Sequence, residues 1–324
     1  MKRFIAFFLA IFCLVGCLGC SADAPAETAQ TTQNTEPTFS QAAIDALDGK
    51  KVLFVGNSYT YYGGVVQRAG SALEQEPRSH DQGYFYQLCK SQGAEVSVTN
   101  WTFGDHSLWE SLGHSCTREA CYGVDHLSYL TDRYFDYVVL QLYTESNYAG
   151  DLNEYLQPMM DVFLEANPNV KFFLAVPHMA YHRQYKLLPY LDAVDQDKIT
   201  ICNWGNMLHD ILEKNVEVPG AKQQYILATF VVSASEKDGH HQNLLVGYLT
   251  AAMVYCAITG ESAVGLPYDF CNDSTLDPSF NFEKFKEERY VYEKFSNFIE
   301  VYESPEDMNG LQQLINQYLQ KPFG

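Results

Sequence analysis

The sequence predicts an α/β protein with a mainly parallel sheet. One observation is the apolar run at 51–55, which has the length and the β-branched content of a strand buried on both faces. A second observation is that strand patterns alternate with helix patterns along most of the chain, an order typical of parallel sheets. We therefore expect an α/β fold built on a mainly parallel sheet, with additional helices at the C-terminus.

The elements follow one another in a regular order. A helix at 84–92 is ended by Gly93, and a helix at 151–166 starts with an aspartate and is followed by Asn-Pro-Asn. A helix at 203–214 begins with an asparagine that can cap it, and a helix at 243–259 is stopped by Gly260. The other predicted elements are strands at 95–99, 137–140, 170–176 and 198–202, and helices at 125–131, 282–302 and 307–319.

Two short motifs far apart in the sequence carry the chemistry. Residues 56–60 read Gly-Asn-Ser-Tyr-Thr and follow the first predicted strand, so Ser58 lies at the carboxyl edge of the sheet, where open α/β sheets bind ligands. Residues 238–241 read Asp-Gly-His-His, and a turn with this spacing can present an imidazole to Ser58 while the carboxylate fixes the ring. The pattern predicts a nucleophilic serine with Asp238 and His241 as partners, and His240 is the alternative base.

The two motifs resemble those of the SGNH, or GDSL-like, hydrolase superfamily, in a branch with a Gly-Asn-Ser-Phe/Tyr-Thr nucleophile motif. The resemblance implies a flavodoxin-like α/β/α sandwich with a mainly parallel sheet. It also implies that Ser58 is the nucleophile, that His241 is the general base and that Asp238 orients His241. In the family a Gly and a Tyr-Leu pair follow the histidine, and residues 247–249 read Gly-Tyr-Leu, with the glycine displaced by one position.

The resemblance further implies an oxyanion hole with three donors. The backbone N–H of Ser58 is the first donor, and Gly104, after the second predicted strand, is the second. The family's Gly-x-Asn-Asp motif after the third strand is absent here, and Gln141 carries a similar amide at that place. We expect Gln141 to be the third donor, with Asn57 and Asn100 as alternatives.

Residues near the strand ends are predicted to bind the substrate. The aromatic residues Trp101, Trp109 and Tyr143 can either stack on sugar rings or fill the core. The insertion at 61–82 follows Ser58 closely and is placed to wall the cleft. No cofactor is expected, and the two neighbouring histidines do not predict a metal site. The predicted substrate-binding residues are Asn57, Trp109, Tyr143 and His178.

The N-terminus predicts a bacterial lipoprotein. Two basic residues precede an apolar stretch, and Leu-Val-Gly-Cys at 14–17 fits a lipobox in which Cys17 is acylated, with Cys20 as the alternative. The apolar stretch is shorter than the about 20 residues that a membrane span needs. We expect a signal peptide at 1–16, a flexible tether at 17–43 that is poor in apolar side chains, and one hydrolase domain at 44–324. Such a protein lies outside the cytoplasm in the cell envelope, attached to the membrane through its lipid anchor only.

The charge of the chain argues against nucleic acid as a partner. The net charge is −19, and removal of Lys2 and Arg3 with the signal peptide takes it to −21. Nucleic-acid binding needs a basic footprint, and no run rich in lysine and arginine occurs. The same charge disfavours a strongly anionic polymer as substrate.

The cysteines divide into two groups. Cys116 and Cys121 flank a short polar segment and are placed either for a local disulfide or as free thiols. Cys89, Cys202 and Cys256 lie on apolar faces and are predicted to be core residues.

The expected function is that of an extracytoplasmic serine esterase that acts on a small-molecule or glycan ester, with a carbohydrate O-acetyl ester as the substrate class that the resemblance implies. Two alternatives stay open. One is a surface lipoprotein that binds a glycan or another ligand without turnover. The other is an O-acyltransferase, which would use the same acyl-enzyme and pass the acyl group to a hydroxyl instead of water. The sequence does not predict the oligomeric state.

Overall fold

A computed structural model describes residues 39–66, 78–79, 83–102, 107–108, 130, 132–142, 152–177, 191–231, 241–269 and 297–320. All of these lie in one compact unit, Thr38–Gly324. The strands are β1 Lys51–Gly56, β2 Arg78–Ser79, β3 Ser97–Thr102, β4 Tyr137–Gln141, β5 Lys171–Ala175 and β6 Ile199–Cys202. The helices are α1 Gln41–Leu47, α2 Ser58–Tyr61, α3 Tyr84–Ser91, α4 Leu152–Leu164, α5 Trp204–Leu212, α6 Leu227–Phe230, α7 Leu244–Thr259, α8 Phe298–Tyr302 and α9 Pro305–Gln320. A 3₁₀ turn at Tyr62–Gly64 follows α2.

The strand order identifies the topology of the sheet. The order across the sheet is β2-β3-β1-β4-β5-β6. The short β2 pairs antiparallel with β3, and every other described pairing is parallel. Counted along the chain, the five parallel strands have the order 2-1-3-4-5, which is the flavodoxin-like order. The predicted α/β fold with a mainly parallel sheet is therefore confirmed.

Both faces of the sheet are covered, because alternate residues of each strand point to opposite sides. On one face Val52 and Phe54 belong to a core that includes residues of α1, α3, α5, α7, α8 and α9. On the other face Leu53 and Val55 belong to a second core that includes α4. The two cores on opposite faces establish the three layers of the sandwich.

Helix α7 is the central helix of the first layer. Its residues 244–256 are all buried, as expected of a helix that is apolar on every side. Asn243 caps its start by accepting a hydrogen bond from the N–H of Val246 at 3.2 Å. Gly260 ends it with φ +74°, the left-handed conformation that glycine adopts without strain. The predicted stop at Gly260 is confirmed.

The folded part begins earlier than predicted. Helix α1 starts at Gln41, and Ser40 caps it by accepting a hydrogen bond from the N–H of Ala43 at 3.1 Å. The Ser40 hydroxyl also donates to Glu261, just beyond α7. The predicted tether includes residues 41–43, because the surrounding composition is polar. The structure instead places them in a capped helix that packs on the core.

Within the predicted helix at 282–302, the helix over Phe298–Tyr302 is confirmed, and Asn297 precedes it with non-helical backbone angles. Asn297 is not helical, because its side chain bonds to other elements: its amide donates to the carbonyl of Gln224 at 2.7 Å and its oxygen accepts from the hydroxyl of Thr229. Residues 282–296 and the predicted helix at 125–131, apart from residue 130, lie outside the described residues. Strand β3 starts two residues later than predicted and extends to Thr102, and β2 and α6 were not predicted.

Cys89, Cys202 and Cys256 are buried free thiols, as predicted, whereas Cys116 and Cys121 lie outside the described residues. Within the described part of the chain, every helix is too short or too polar to span a membrane.

Candidate active site

The segment 56–60, which we call the Ser58 turn, leaves the carboxyl end of β1 and enters α2 directly. Asn57 is fully buried, and its side-chain oxygen accepts a hydrogen bond from the N–H of Tyr59 at 3.0 Å. Its backbone carbonyl accepts from the N–H of Thr60 at 2.9 Å. Asparagine is favoured at such positions because its short side chain bonds to the backbone two residues on. Ser58, the first residue of α2, is therefore held in a fixed turn and is 9% exposed.

Gln141, the last residue of β4, connects the neighbouring strand to this turn. Its side-chain oxygen accepts hydrogen bonds from the N–H of Asn57 at 3.1 Å and from the hydroxyl of Thr60 at 2.8 Å. Its amide nitrogen donates to the carbonyl of Leu142 at 2.8 Å. Gln141 was predicted to donate to an oxyanion, and the two contacts that it makes with the Ser58 turn use its oxygen instead.

His241 is positioned by the residues that follow it. Gln242 forms an antiparallel bridge with Val231. The backbone N–H of Asn243 donates to the carbonyl of Phe230 at 3.1 Å, and its side-chain amide donates to the carbonyl of Thr229 at 2.8 Å. Since Asn243 also caps α7, the chain after His241 is fixed to both α6 and α7.

The Ser58 turn and His241 lie side by side in the structure. The ring of Tyr59, the residue after Ser58, lies against the imidazole of His241 with the ring centroids 5.8 Å apart and the planes at 43°. Tyr59 is 3% exposed and His241 is half-buried, so this contact lies at the edge of the packed interior. The fold thus brings the Ser58 turn into contact with His241 through Tyr59.

A close approach of two glycines supports the same arrangement. Gly247, one turn after the start of α7, lies so near to Gly63 that a Cβ atom at 247 would be 1.7 Å from the carbonyl oxygen of Gly63. A Cβ atom at Gly63 would in turn lie 2.4 Å from the carbonyl oxygen of Asn243. The segment that follows α2 therefore packs backbone to backbone on the helix that follows His241.

Several other predicted site residues have a clear position. Trp101 is 1% exposed in the second core, so of its two predicted roles the core role is confirmed. Asn100 is also buried, and its side-chain oxygen accepts from the hydroxyl of Thr102 at 2.7 Å. No group of three possible metal ligands occurs among the residues with a described structure. The predictions for Cys17, Gly104, Trp109, Tyr143, His178, Asp238 and His240 concern residues outside the described part of the chain.

Three features of the site are not predicted by the sequence. Thr60 and Tyr59 were named as parts of a motif, but their contacts with Gln141 and His241 were not foreseen. The Gly-Gly pair at 63–64 was assigned to the wall of a cleft, whereas Gly63 packs on α7. A signal was present in the sequence, because Gly63 and Gly247 are both small residues next to the two motifs.

No family model matches the sequence, and no curated protein matches it. Among solved structures, two mutants of Axe2, an acetylxylan esterase from Geobacillus stearothermophilus, are similar at 15% and 16% identity with TM-scores of 0.42 and 0.43. Each match covers 67% of this chain and 96% of the other. A candidate SGNH hydrolase from Slackia heliotrinireducens is similar at 14% identity and a TM-score of 0.38, over 64% of this chain and 97% of the other. The fold assignment above rests on the strand order of the sheet.

Proposed function

We propose that this protein is a serine hydrolase that cleaves carboxylic esters, with Ser58 as the nucleophile and His241 as the general base. The observation that carries the proposal is the contact between Tyr59 and His241, with ring centroids 5.8 Å apart. It joins two motifs that are distant in sequence, each of which alone has an ordinary structural explanation. Together they supply the hydroxyl and the base that nucleophilic catalysis requires.

The proposed reaction follows from these groups. His241 takes the proton of the Ser58 hydroxyl while the serine oxygen attacks the ester carbonyl carbon. The tetrahedral intermediate collapses as the C–O bond to the leaving alcohol breaks, and the imidazolium gives its proton to that alkoxide. Water then attacks the acyl-enzyme with the same base, which releases the acid and restores Ser58. Asp238 is proposed to orient His241 through its second ring nitrogen.

The position of Ser58 supports this chemistry. It follows β1 at the carboxyl edge of a parallel sheet, where α/β proteins bind their ligands. Ser58 as a residue is only 9% exposed, so its surroundings are largely shielded from bulk water, and electrostatic stabilisation of an oxyanion is stronger in such surroundings. The backbone N–H of Ser58, Gly104 and the amide of Gln141 are the proposed oxyanion donors, each worth about 10²–10³ in rate in a well-studied enzyme.

The substrate class and the location are proposals that rest on the sequence. A carbohydrate O-acetyl ester is the first class to test, because the family resemblance implies it, and Asn57, Trp109, Tyr143 and His178 are proposed to contact the substrate. The lipobox at Cys17 supports an anchored protein outside the cytoplasm, where surface glycans occur. The charge of −19 favours neutral over anionic polymers.

A fluorophosphonate probe tests the proposal directly, since an activated serine displaces its fluoride and keeps the phosphonyl group. The full chain is purified in a mild detergent, labelled and mapped by mass spectrometry. We expect one adduct at Ser58, none in Ser58→Ala, and labelling slowed about 10²-fold or more in His241→Ala, where the general base is lost. Ser97→Ala is the matched control, because Ser97 is an exposed serine on β3, and it should be labelled like the wild type.

A folded sample without an adduct at Ser58 would contradict the proposal and favour the ligand-binding lipoprotein. If labelling occurs, incubation with an acetylated sugar separates the two enzymatic outcomes. Release of acetate indicates hydrolysis, and transfer of the acetyl group to a hydroxyl of a second sugar indicates an acyltransferase.

A further inference from the structure

Gln141 occupies a position from which its side chain can reach the Ser58 turn. It ends β4, which pairs parallel with β1, and the register places Leu140 opposite Val55. Gln141 therefore lies beside Gly56, the last residue of β1. The side chain is 3% exposed, so it crosses from one strand to the next inside the protein.

The hydrogen bonds fix which way the carboxamide points. The N–H of Asn57 can only donate, so the atom 3.1 Å from it must be the carboxamide oxygen. The backbone carbonyl of Leu142 can only accept, so the atom 2.8 Å from it must be the nitrogen. A flipped amide would face a donor with a donor and an acceptor with an acceptor. The hydroxyl of Thr60 is then the second donor to the oxygen, at 2.8 Å.

Gly56 makes room for this arrangement. A Cβ atom at position 56 would lie 2.3 Å from the Thr60 hydroxyl oxygen and 2.8 Å from the Gln141 side-chain oxygen. Any larger residue would therefore displace the hydrogen-bonded pair. Beyond the pair, a cavity of only about 10 Å³ is lined by Thr60 and Gln141 among others, so there is little space for the turn to relax.

We propose that Gln141 is a positioning residue for the nucleophile: its carboxamide oxygen holds the residues on both sides of Ser58, the N–H of Asn57 and the hydroxyl of Thr60. This role rests on the proposed function of Ser58. It differs from the oxyanion role expected from the sequence, which would use the N–H that is not bonded to Leu142. Gln141 acts here through Ser58, and the extra methylene of glutamine relative to asparagine gives the side chain the reach to the turn.

The test changes Thr60, because this residue contacts the carboxamide oxygen and removing its hydroxyl leaves the N–H groups of Gln141 in place. Thr60→Val loses the hydroxyl at nearly constant volume, and Thr60→Ser keeps it. For the full chain, the rate of fluorophosphonate labelling at Ser58 and the kcat and KM for p-nitrophenyl acetate are measured, together with the thermal midpoint. We expect Thr60→Val to lower the labelling rate and kcat about ten- to a hundredfold with KM nearly unchanged, because a misplaced nucleophile slows the chemical step.

Rescue and coupling complete the test. Thr60→Ser should stay within about twofold of the wild-type labelling rate, since the hydroxyl is retained. The double variant Thr60→Val/Gln141→Ala should label no more slowly than Gln141→Ala alone, because both changes remove the same contact. Gln141→Asn, which keeps an amide of shorter reach, should resemble Gln141→Ala. If Gln141→Ala does not fold, the comparison of Thr60→Val with Thr60→Ser still tests the positioning role of Gln141.

The outcomes separate the two proposals. Wild-type protein that is folded but unlabelled at Ser58 would overturn the proposed function and this role with it. Wild-type protein that is labelled at Ser58, with folded Thr60→Val labelled at the same rate, would overturn only the positioning role of Gln141. Losses in the double variant that equal the product of the single losses would also overturn it.

Discussion

Replacing Gly247 with alanine tests the contact that joins the two halves of the candidate site. A Cβ atom at 247 would lie 1.7 Å from the carbonyl oxygen of Gly63 and 2.3 Å from its carbonyl carbon. Ordinary contacts of a Cβ atom begin at 3.4 Å, so the two backbones would have to separate by about 1.7 Å. Neither partner is a flexible side chain that can move aside.

The sign of the stability change distinguishes this contact from a simple helix effect. Alanine is favoured over glycine in a helix by about 1 kcal/mol, so without the contact the variant would be the more stable protein. Overpacking in a close-packed interior costs about 1–3 kcal/mol, and a backbone-to-backbone clash belongs at the upper end. We therefore expect a net loss of about 1–2 kcal/mol in the free energy of unfolding.

The same displacement should slow the proposed chemistry. Gly63 follows α2 and Gly247 follows His241, so a separation of their backbones moves Ser58 relative to the imidazole. A misplacement of about 1 Å can cost about 10² in rate. Fluorophosphonate labelling at Ser58 should fall by at least this factor in Gly247→Ala while the protein remains folded.

Urea denaturation followed by circular dichroism measures the stability, and the labelling rate measures the geometry. Ala257→Gly is the matched control, because it makes the reverse change at a half-buried position of the same helix. It should lose about 0.5–1 kcal/mol through helix propensity and label at the wild-type rate. The reasoning is refuted if Gly247→Ala is as stable as the wild type or more stable, or if its Ser58 is labelled at the wild-type rate.

Two further predictions concern stability and reactivity away from Ser58. Burial alone would raise the pKa of Asp307, but hydrogen bonds from Ser304, Tyr225 and the backbone N–H groups of residues 222 and 223 outweigh it and hold the pKa below 3.8. Such a carboxylate contributes stability that is complete above its unfolded-state pKa and is lost as the pH falls through the lower folded-state pKa. The free energy of unfolding should therefore fall more steeply below about pH 5 in the wild type than in Asp307→Asn. Equal slopes in the two proteins would contradict this prediction. Burial also raises the pKa of Cys202 and Cys256 to about 12. Iodoacetamide at about pH 8 should leave both thiols unmodified in the folded protein and alkylate them in urea, as mapped by mass spectrometry. Equal alkylation rates in the folded and the unfolded protein would contradict this prediction.

The parts of the fold that the sequence predicted are those coded locally. The strand at 51–55 and the helix stop at Gly260 depend on residue types within a few positions, and both are confirmed. Asn203 was likewise predicted to cap its helix, and its side chain accepts a hydrogen bond from the N–H of Asn206 at 3.0 Å. Such features can be predicted from sequence because the interacting atoms belong to residues that are close together in the chain.

The predictions that failed, or were not made, depend on partners distant in sequence. Ser40 belongs to the domain because it both caps α1 and donates to Glu261, and the polar composition around it conceals the second contact. Asn297 was predicted to be helical but precedes α8, and its side chain bonds to Gln224 and Thr229. For Gln141 the residue was predicted, but the atom that it uses depends on the register between β1 and β4.

The described contacts also bear on the role that is proposed for Asp238. Three sets of contacts among the described residues fix the two segments that carry Ser58 and His241: the bonds of Gln141 to the Ser58 turn, the ring contact of Tyr59 with His241, and the approach of Gly63 to Gly247. The placement of these two segments is thus a property of the sheet and of α7. The role proposed for Asp238 is to choose the tautomer of His241 and to stabilise its charged form, which are tasks of a carboxylate rather than of packing.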